Sequence, residues 1–209
     1  MEKKSDTGQN LVICITGTPG VGKTSVSKKV AALLNGRVID VRSLVIKEKL
    51  FFSYDEYRET YVVNEDVLRD HLKRVLMKDR RQGTTSIIDT HLLGALRDLD
   101  IDFIVVLTCD PLILFNRIMS KNVSLRKAVE NVVSEFLNQI LVEAYKTFSI
   151  DRILVMDTSC KSIDAVAKEI VDIINSKNLQ INKGALKQVD WSFRAPWISK
   201  LLSSTYSKS

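Results

Sequence analysis

Short apolar runs alternate along this chain with stretches whose apolar residues recur every three or four positions. Residues 11–15, 37–40 (RVID), 85–89 (TSIID), 102–107 (DFIVVL) and 152–156 read as buried strands, because they are brief, continuous and rich in Val and Ile. Helical spacing fills the intervals. Val26, Val30, Leu33 and Leu34 fall at i, i+4, i+7 and i+8, and a short helix is expected over 43–50. Val67, Leu68, Leu72, Val75 and Leu76 form the buried stripe of a helix that Asn64 caps and Gly83 stops. Asp110-Pro111 opens another helix, running to about residue 120. Val129, Val132, Val133, Phe136, Ile140, Leu141 and Ala144 predict one long amphipathic helix to about residue 148, and Ser162 caps a last one to 174. The polar, tyrosine-rich stretch 54–61 carries no period. Strands alternating with helices predict an α/β fold with a parallel sheet covered on both faces.

The first strand runs straight into Gly17-Thr-Pro-Gly20-Val21-Gly22-Lys23-Thr24-Ser25, which fits G-x-x-x-x-G-K-[ST] without a gap. Glycines there let main-chain N–H groups turn inward as a nest for phosphate oxygens, and the helix N-terminus adds partial positive charge. Lys23 would reach the β- and γ-phosphates, and the Thr24 hydroxyl would take a place on Mg²⁺. This pattern in this context implies a nucleoside-triphosphate site in a P-loop fold.

Other candidates follow from position. Asp89 ends the third apolar run beside that loop, where a carboxylate holds Mg²⁺ directly or through water, and His91 would face the same crevice. The alternative for Asp89 is a helix cap or turn residue. Arg117, Lys121, Arg126 and Lys127 lie where one helix ends and another begins, as a lid would; an ordinary basic connection is the alternative. Arg58 could hold an acceptor phosphate or be a solvated loop cation.

Charge is unevenly placed. Of the net +6, the segment 177–209 carries +5, from six Lys/Arg against Asp190. With Trp191 and Trp197, this tail suits RNA or an acidic partner, or else packs on the body with its lysines solvated. No apolar run approaches a membrane span, the N-terminus lacks the apolar core of a signal peptide, and Cys14, Cys109 and Cys160 show no metal spacing. Reduced thiols and a cytoplasmic location are expected.

Over about residues 11–174 the chain resembles the adenylate kinase isoenzyme 6 family, whose members are also described as coilin-interacting nuclear ATPases and, in yeast, as ribosome-assembly factors. The resemblance rests on TGTPGVGKTS, YDEYRETYVVNED, Asp89-Thr90-His91 and the KAVENVVSEFLNQILVEAY helix with its Glu130-Asn131 pair. Val189-Asp190-Trp191 is similar to the ending of archaeal members. The resemblance implies a kinase domain over 1–176 with a five-stranded parallel core, a monophosphate-binding arm near 40–63, a lid near 120–130, and the tail beyond. It implies Mg-ATP and AMP as substrates giving two ADP, and a slower ATPase activity. It further implies a link to small-subunit maturation through a ribosomal protein of the uS11 type, with pre-rRNA a further candidate partner. An adenine-side loop at 157–159 would bring Lys161 near the base. The chain departs from the family twice. Lys121-Asn122-Val123 stands for the lid's usual Arg-Gly-Tyr, and the fourth strand ends Leu107-Thr108 rather than Leu-Arg. Both departures bear on phosphoryl transfer more than on ATP binding, so a ribosome-assembly ATPase with little kinase activity is the competing reading. A kinase for another small acceptor, such as dephospho-coenzyme A, would differ in the acceptor pocket alone.

Overall fold

Five of the apolar runs lie side by side. The computed structural model describes residues 10–57, 59–176 and 189–206. Its strands are β1 (Val12–Gly17), β2 (Arg37–Asp40), β3 (Phe51–Asp55), β4 (Thr60–Val63), β5 (Ser86–Asp89), β6 (Phe103–Thr108) and β7 (Ile153–Asp157). A five-stranded sheet takes the order β2-β5-β1-β6-β7, every pair parallel. The helices are α1 (Lys23–Leu33), α2 (Val41–Lys47), α3 (Glu65–Arg81), α4 (Pro111–Met119), α5 (Leu125–Phe136), α6 (Gln139–Thr147), α7 (Ile163–Ser176) and α8 (Ala195–Tyr206).

Because side chains alternate along a strand, the sheet builds a core on each face. Val12, Cys14, Ile88 and Ile104 meet Leu68 and Leu72 of α3 and Leu141 and Ala144 of α6. Ile13, Ile15, Ile87 and Val105 meet Val26 and Val30 of α1 and Val166 and Ile170 of α7, with Leu114 and Ile118 of α4 alongside. This is the α/β architecture that the alternating runs predict.

Two elements differ from the sequence pattern. The polar stretch 54–61 is not wholly irregular: Tyr54, Asp55, Thr60 and Tyr61 are strand residues of an antiparallel hairpin, β3 with β4, outside the main sheet. Ring packing holds it, with Tyr61 centred 4.6 Å from Phe51 and 5.0 Å from Tyr54. Its residues are largely exposed or half-buried, so no in–out alternation marks it in the sequence. The long helix expected to reach 148 is broken. Asn138 takes φ 52°, a left-handed conformation that Asn tolerates, and α5 ends there. The apolar stripe continues across the break, so periodicity alone reads straight through it.

The described part of the tail lies on the body. Val189, Trp191 and Ile198 are buried, Asn138 Nδ2 donates to Val189 O (3.1 Å), and Trp197 stands edge-on to Phe115 of α4. Residues 177–188 and 207–209, which carry four of the tail's six basic residues, lie outside the described residues, as does Arg58.

One buried carboxylate ties a helix end to two strands. Asp79, 3% exposed, accepts from Arg37 Nη2 (2.6 Å) and Ser86 Oγ (2.8 Å). Charge-assisted bonds of this kind contribute about 1.5–3 kcal/mol each, and half of Arg37 is in water, which lowers its share. Asp79→Ala is expected to cost about 2 kcal/mol, read as a lower urea midpoint at unchanged slope.

Candidate functional site

Parallel pairing sets the level of the site. Ile15 pairs with Asp89 and Gly17 with Leu107, so the phosphate loop leaves β1 between the carboxyl ends of β5 and β6. Gly17 has φ 140°, and a Cβ there would collide with Leu107 O, so no side chain fits this turn. Gly22, at φ 109°, turns the chain into α1, whose N-terminus has no side-chain cap from any described residue. By contrast Asp40, Asn64, Asp110 and Ser124 cap α2, α3, α4 and α5. The first N–H groups of α1 are thus free of side-chain competition at the point where an anion would sit.

Lys23 Nζ lies back on the loop, donating to Gly17 O (2.8 Å) and Thr18 O (3.2 Å). Burial lowers its pKa to about 8, with Asp89 and Glu135 pulling the other way, so it remains an ammonium at neutral pH. Thr24 Oγ1 donates to Asp89 Oδ2 at 2.6 Å, which brings these two residues together across the crevice. Asp89 is 5% exposed and burial raises its pKa, with Asp40 adding to the rise from the neighbouring strand position. A hydroxyl and a carboxylate whose charge is short of water are hard oxygen donors suited to Mg²⁺.

The other candidates are placed less closely. His91 is exposed at the mouth of the crevice. Lost hydration and then the charges of Lys23, Arg42 and Lys127 hold its pKa well below the usual imidazole range. Because the ring stays open to water, the three cations are the firmer cause, and the imidazole is neutral at pH 7. Val21 is buried, Gly20 is half-buried, and Ser25 is exposed on the first turn of α1. Lys121 is exposed, close enough for its charge to act on Lys23. Lys161 Nζ pairs with Glu169 of α7 at 2.6 Å. Arg117 donates to Thr158 O (2.7 Å) and Ser159 O (3.2 Å), fixing the loop after β7. The hairpin and the start of α5 touch: Ser124 Oγ donates to Glu59 Oε1 (3.0 Å), Lys127 Nζ to Glu59 O (2.8 Å), and Arg126 lies 3.4 Å over the Tyr57 ring.

Similarity to known proteins agrees with this geometry. Residues 13–138 match a family model described as an AAA domain. A protein of Methanocaldococcus jannaschii, provisionally named an adenylate kinase, is 33% identical over 86% of this chain and 92% of its own. An adenylate kinase isoenzyme 6 homolog of Schizosaccharomyces pombe is 34% identical over 77% of this chain and 89% of its own. The chain belongs to this adenylate-kinase-like family. The solved thymidylate kinase of Candida albicans shares the fold, with a TM-score of 0.55 at 16% identity over 82% of this chain and 93% of that one.

In this adenylate-kinase-like chain one buried group escaped the sequence reading. Glu135 of α5, 4% exposed, accepts from Cys109 N (2.8 Å) at the end of β6, and its carboxylate lies against the Thr18 hydroxyl and in the field of Lys23. The signal was present: a carboxylate three residues after Val132, on the buried face of α5. Burial pushes its pKa up to about 7. A raised folded-state pKa stabilises the fold fully below the unfolded value of about 4.5 and is lost as pH rises through about 7. Glu135→Gln, which keeps the acceptor for Cys109 N, is therefore expected to gain on wild type as pH rises from 4.5 to 7.5. The gain is of order 3 kcal/mol, measured as the difference in urea stability across that window.

Proposed function

We propose that this chain is a Mg-ATP-dependent nucleoside-monophosphate kinase of adenylate kinase type, converting ATP and AMP to two ADP, with slow ATPase activity when AMP is absent. In that reaction an oxygen of the AMP phosphate attacks the γ-phosphorus, the bond to the β–γ bridging oxygen breaks, and the charge leaves with ADP. The observation that carries the reading is the Thr24–Asp89 pair at the mouth of an uncapped glycine loop. Mg²⁺, held by Thr24 and by Asp89 directly or through water, would supply charge neutralisation on the phosphates. The chain's own residues do the rest. Main-chain N–H groups from Gly20 to Ser25 bind phosphate oxygens, and Lys23 leaves the carbonyls of Gly17 and Thr18 for the transferred group. Neutral His91 orients the acceptor or a water, and Lys121 adds charge from the lid. The contacts of Glu59 with Ser124 and Lys127 support an arm and lid that close together over the acceptor and exclude water.

A second reading, a ribosome-assembly ATPase in the cytoplasm acting on a ribosomal protein or pre-rRNA, is favoured by one feature. Thr108, where the family has arginine, is 2% exposed and adds no cation for the acceptor phosphate. A nucleotide-dependent pull-down that recovers ribosomal protein or rRNA would support it.

The readings separate on AMP. ADP formation is expected to rise at least tenfold when AMP is added to Mg-ATP, and equal rates with and without AMP exclude the kinase. Lys23→Ala and Asp89→Asn are each expected to lower kcat by roughly 10²–10³-fold with the fold intact, read by coupled ADP assay and circular dichroism.

A further inference from the structure

The tail is joined to the nucleotide crevice by an unbroken run of hydrogen bonds. Arg194, just before α8, presents its guanidinium to Asp110: Nε stands 2.9 Å from Oδ1 and 3.1 Å from Oδ2, and Nη2 is 2.6 Å from Oδ2. Asp110 is 8% exposed, and its Oδ1 also accepts from Leu112 N (2.8 Å), capping α4. The same residue's N–H donates to Ser159 Oγ (2.7 Å) in the loop after β7. Next in that loop, Thr158 Oγ1 stands 3.1 Å from Val21 O of the phosphate loop and 2.9 Å from Thr108 O; its one proton serves one of them at a time. Arg117, from within α4, grips the carbonyls of Thr158 and Ser159. A shift of Asp110 and the start of α4 therefore moves the loop that flanks the triphosphate site.

Arg194 is itself held. Trp191 and Ile198 on either side are buried, Trp197 packs on Phe115 of the helix that Asp110 caps, and Asn138 grips Val189 O. Arginine suits this junction because its planar fork matches a carboxylate in two-pronged geometry, which lysine cannot do.

We propose that Arg194 is a positioning residue for the bound triphosphate nucleotide: through Asp110 it sets the 157–159 loop against the phosphate loop. The proposal rests on the reading of the crevice as an ATP site. It assigns the tail to the ATP half of the site, where Thr158 stands against Val21 of the phosphate loop.

The experiment compares the full chain with Arg194→Ala and Arg194→Lys, measuring Mg-ATP affinity by equilibrium binding, and KM for ATP and for AMP separately. For Arg194→Ala, Kd and KM for ATP rise roughly tenfold, while KM for AMP and kcat stay within about twofold. Arg194→Lys, retaining the charge and one bond, falls between. If Arg194→Ala does not fold, Arg194→Lys decides alone through the same ATP-versus-AMP split. Unchanged ATP affinity, or ATP and AMP constants moving together, overturns the inference. Wild type that binds no Mg-ATP would instead sink the proposed function, and wild type that binds ATP but ignores AMP leaves the binding comparison intact.

Discussion

In-register parallel pairing of β1 with β5 on one side and β6 on the other is the constraint on which everything else stands. It brings three carboxyl ends to one height, so the glycine turn, the Asp89 carboxylate and the Cys109-Asp110 corner open onto the same crevice. A slip of one residue along β1 would send Ile13 and Ile15 to the opposite core and lower Thr24 away from Asp89. The two apolar cores thus do more than stabilise; they fix the vertical position of the phosphate loop.

Within that frame the crevice balances buried charge of both signs. Lys23 stands between Asp89 and Glu135, two carboxylates raised by burial, while its own ammonium is disfavoured by the same cause. Each group makes the others' charge tolerable, and Lys23 rests on two loop carbonyls. Such an arrangement suits a triphosphate, which brings the negative charge that would draw the ammonium off the carbonyls.

What was legible in the sequence had a local cause. The phosphate loop is contiguous, and its glycines answer to backbone demands visible in the letters themselves. Asp89 is legible because it ends an apolar run. Glu135 is hidden because its significance depends on Cys109 and Thr18, more than a hundred positions away in one case. The β3–β4 hairpin left no pattern, since Phe51 and Val63 at its base pack on the core while its other strand residues stay exposed or half-buried, and the Asn138 break left none because both halves share an apolar stripe. Arg194 reads as one more basic residue in a basic tail until the fold sets it against Asp110. Of the basic residues between α4 and α5, Arg126 and Lys127 reach Tyr57 and Glu59 beside the hairpin, whereas Arg117 turns to the loop after β7, and their letters alone do not separate them.

The chain's three sulfurs are sorted by depth in a way that is of practical use. Cys14 and Cys109 are enclosed, and burial pushes both thiols up, so neither presents a reactive thiolate. Cys160 alone is open to solvent, one residue beyond Ser159 at the rim of the crevice. A maleimide dye would therefore attach at a single native position beside the proposed nucleotide site, giving an optical reporter of occupancy without any engineered mutation.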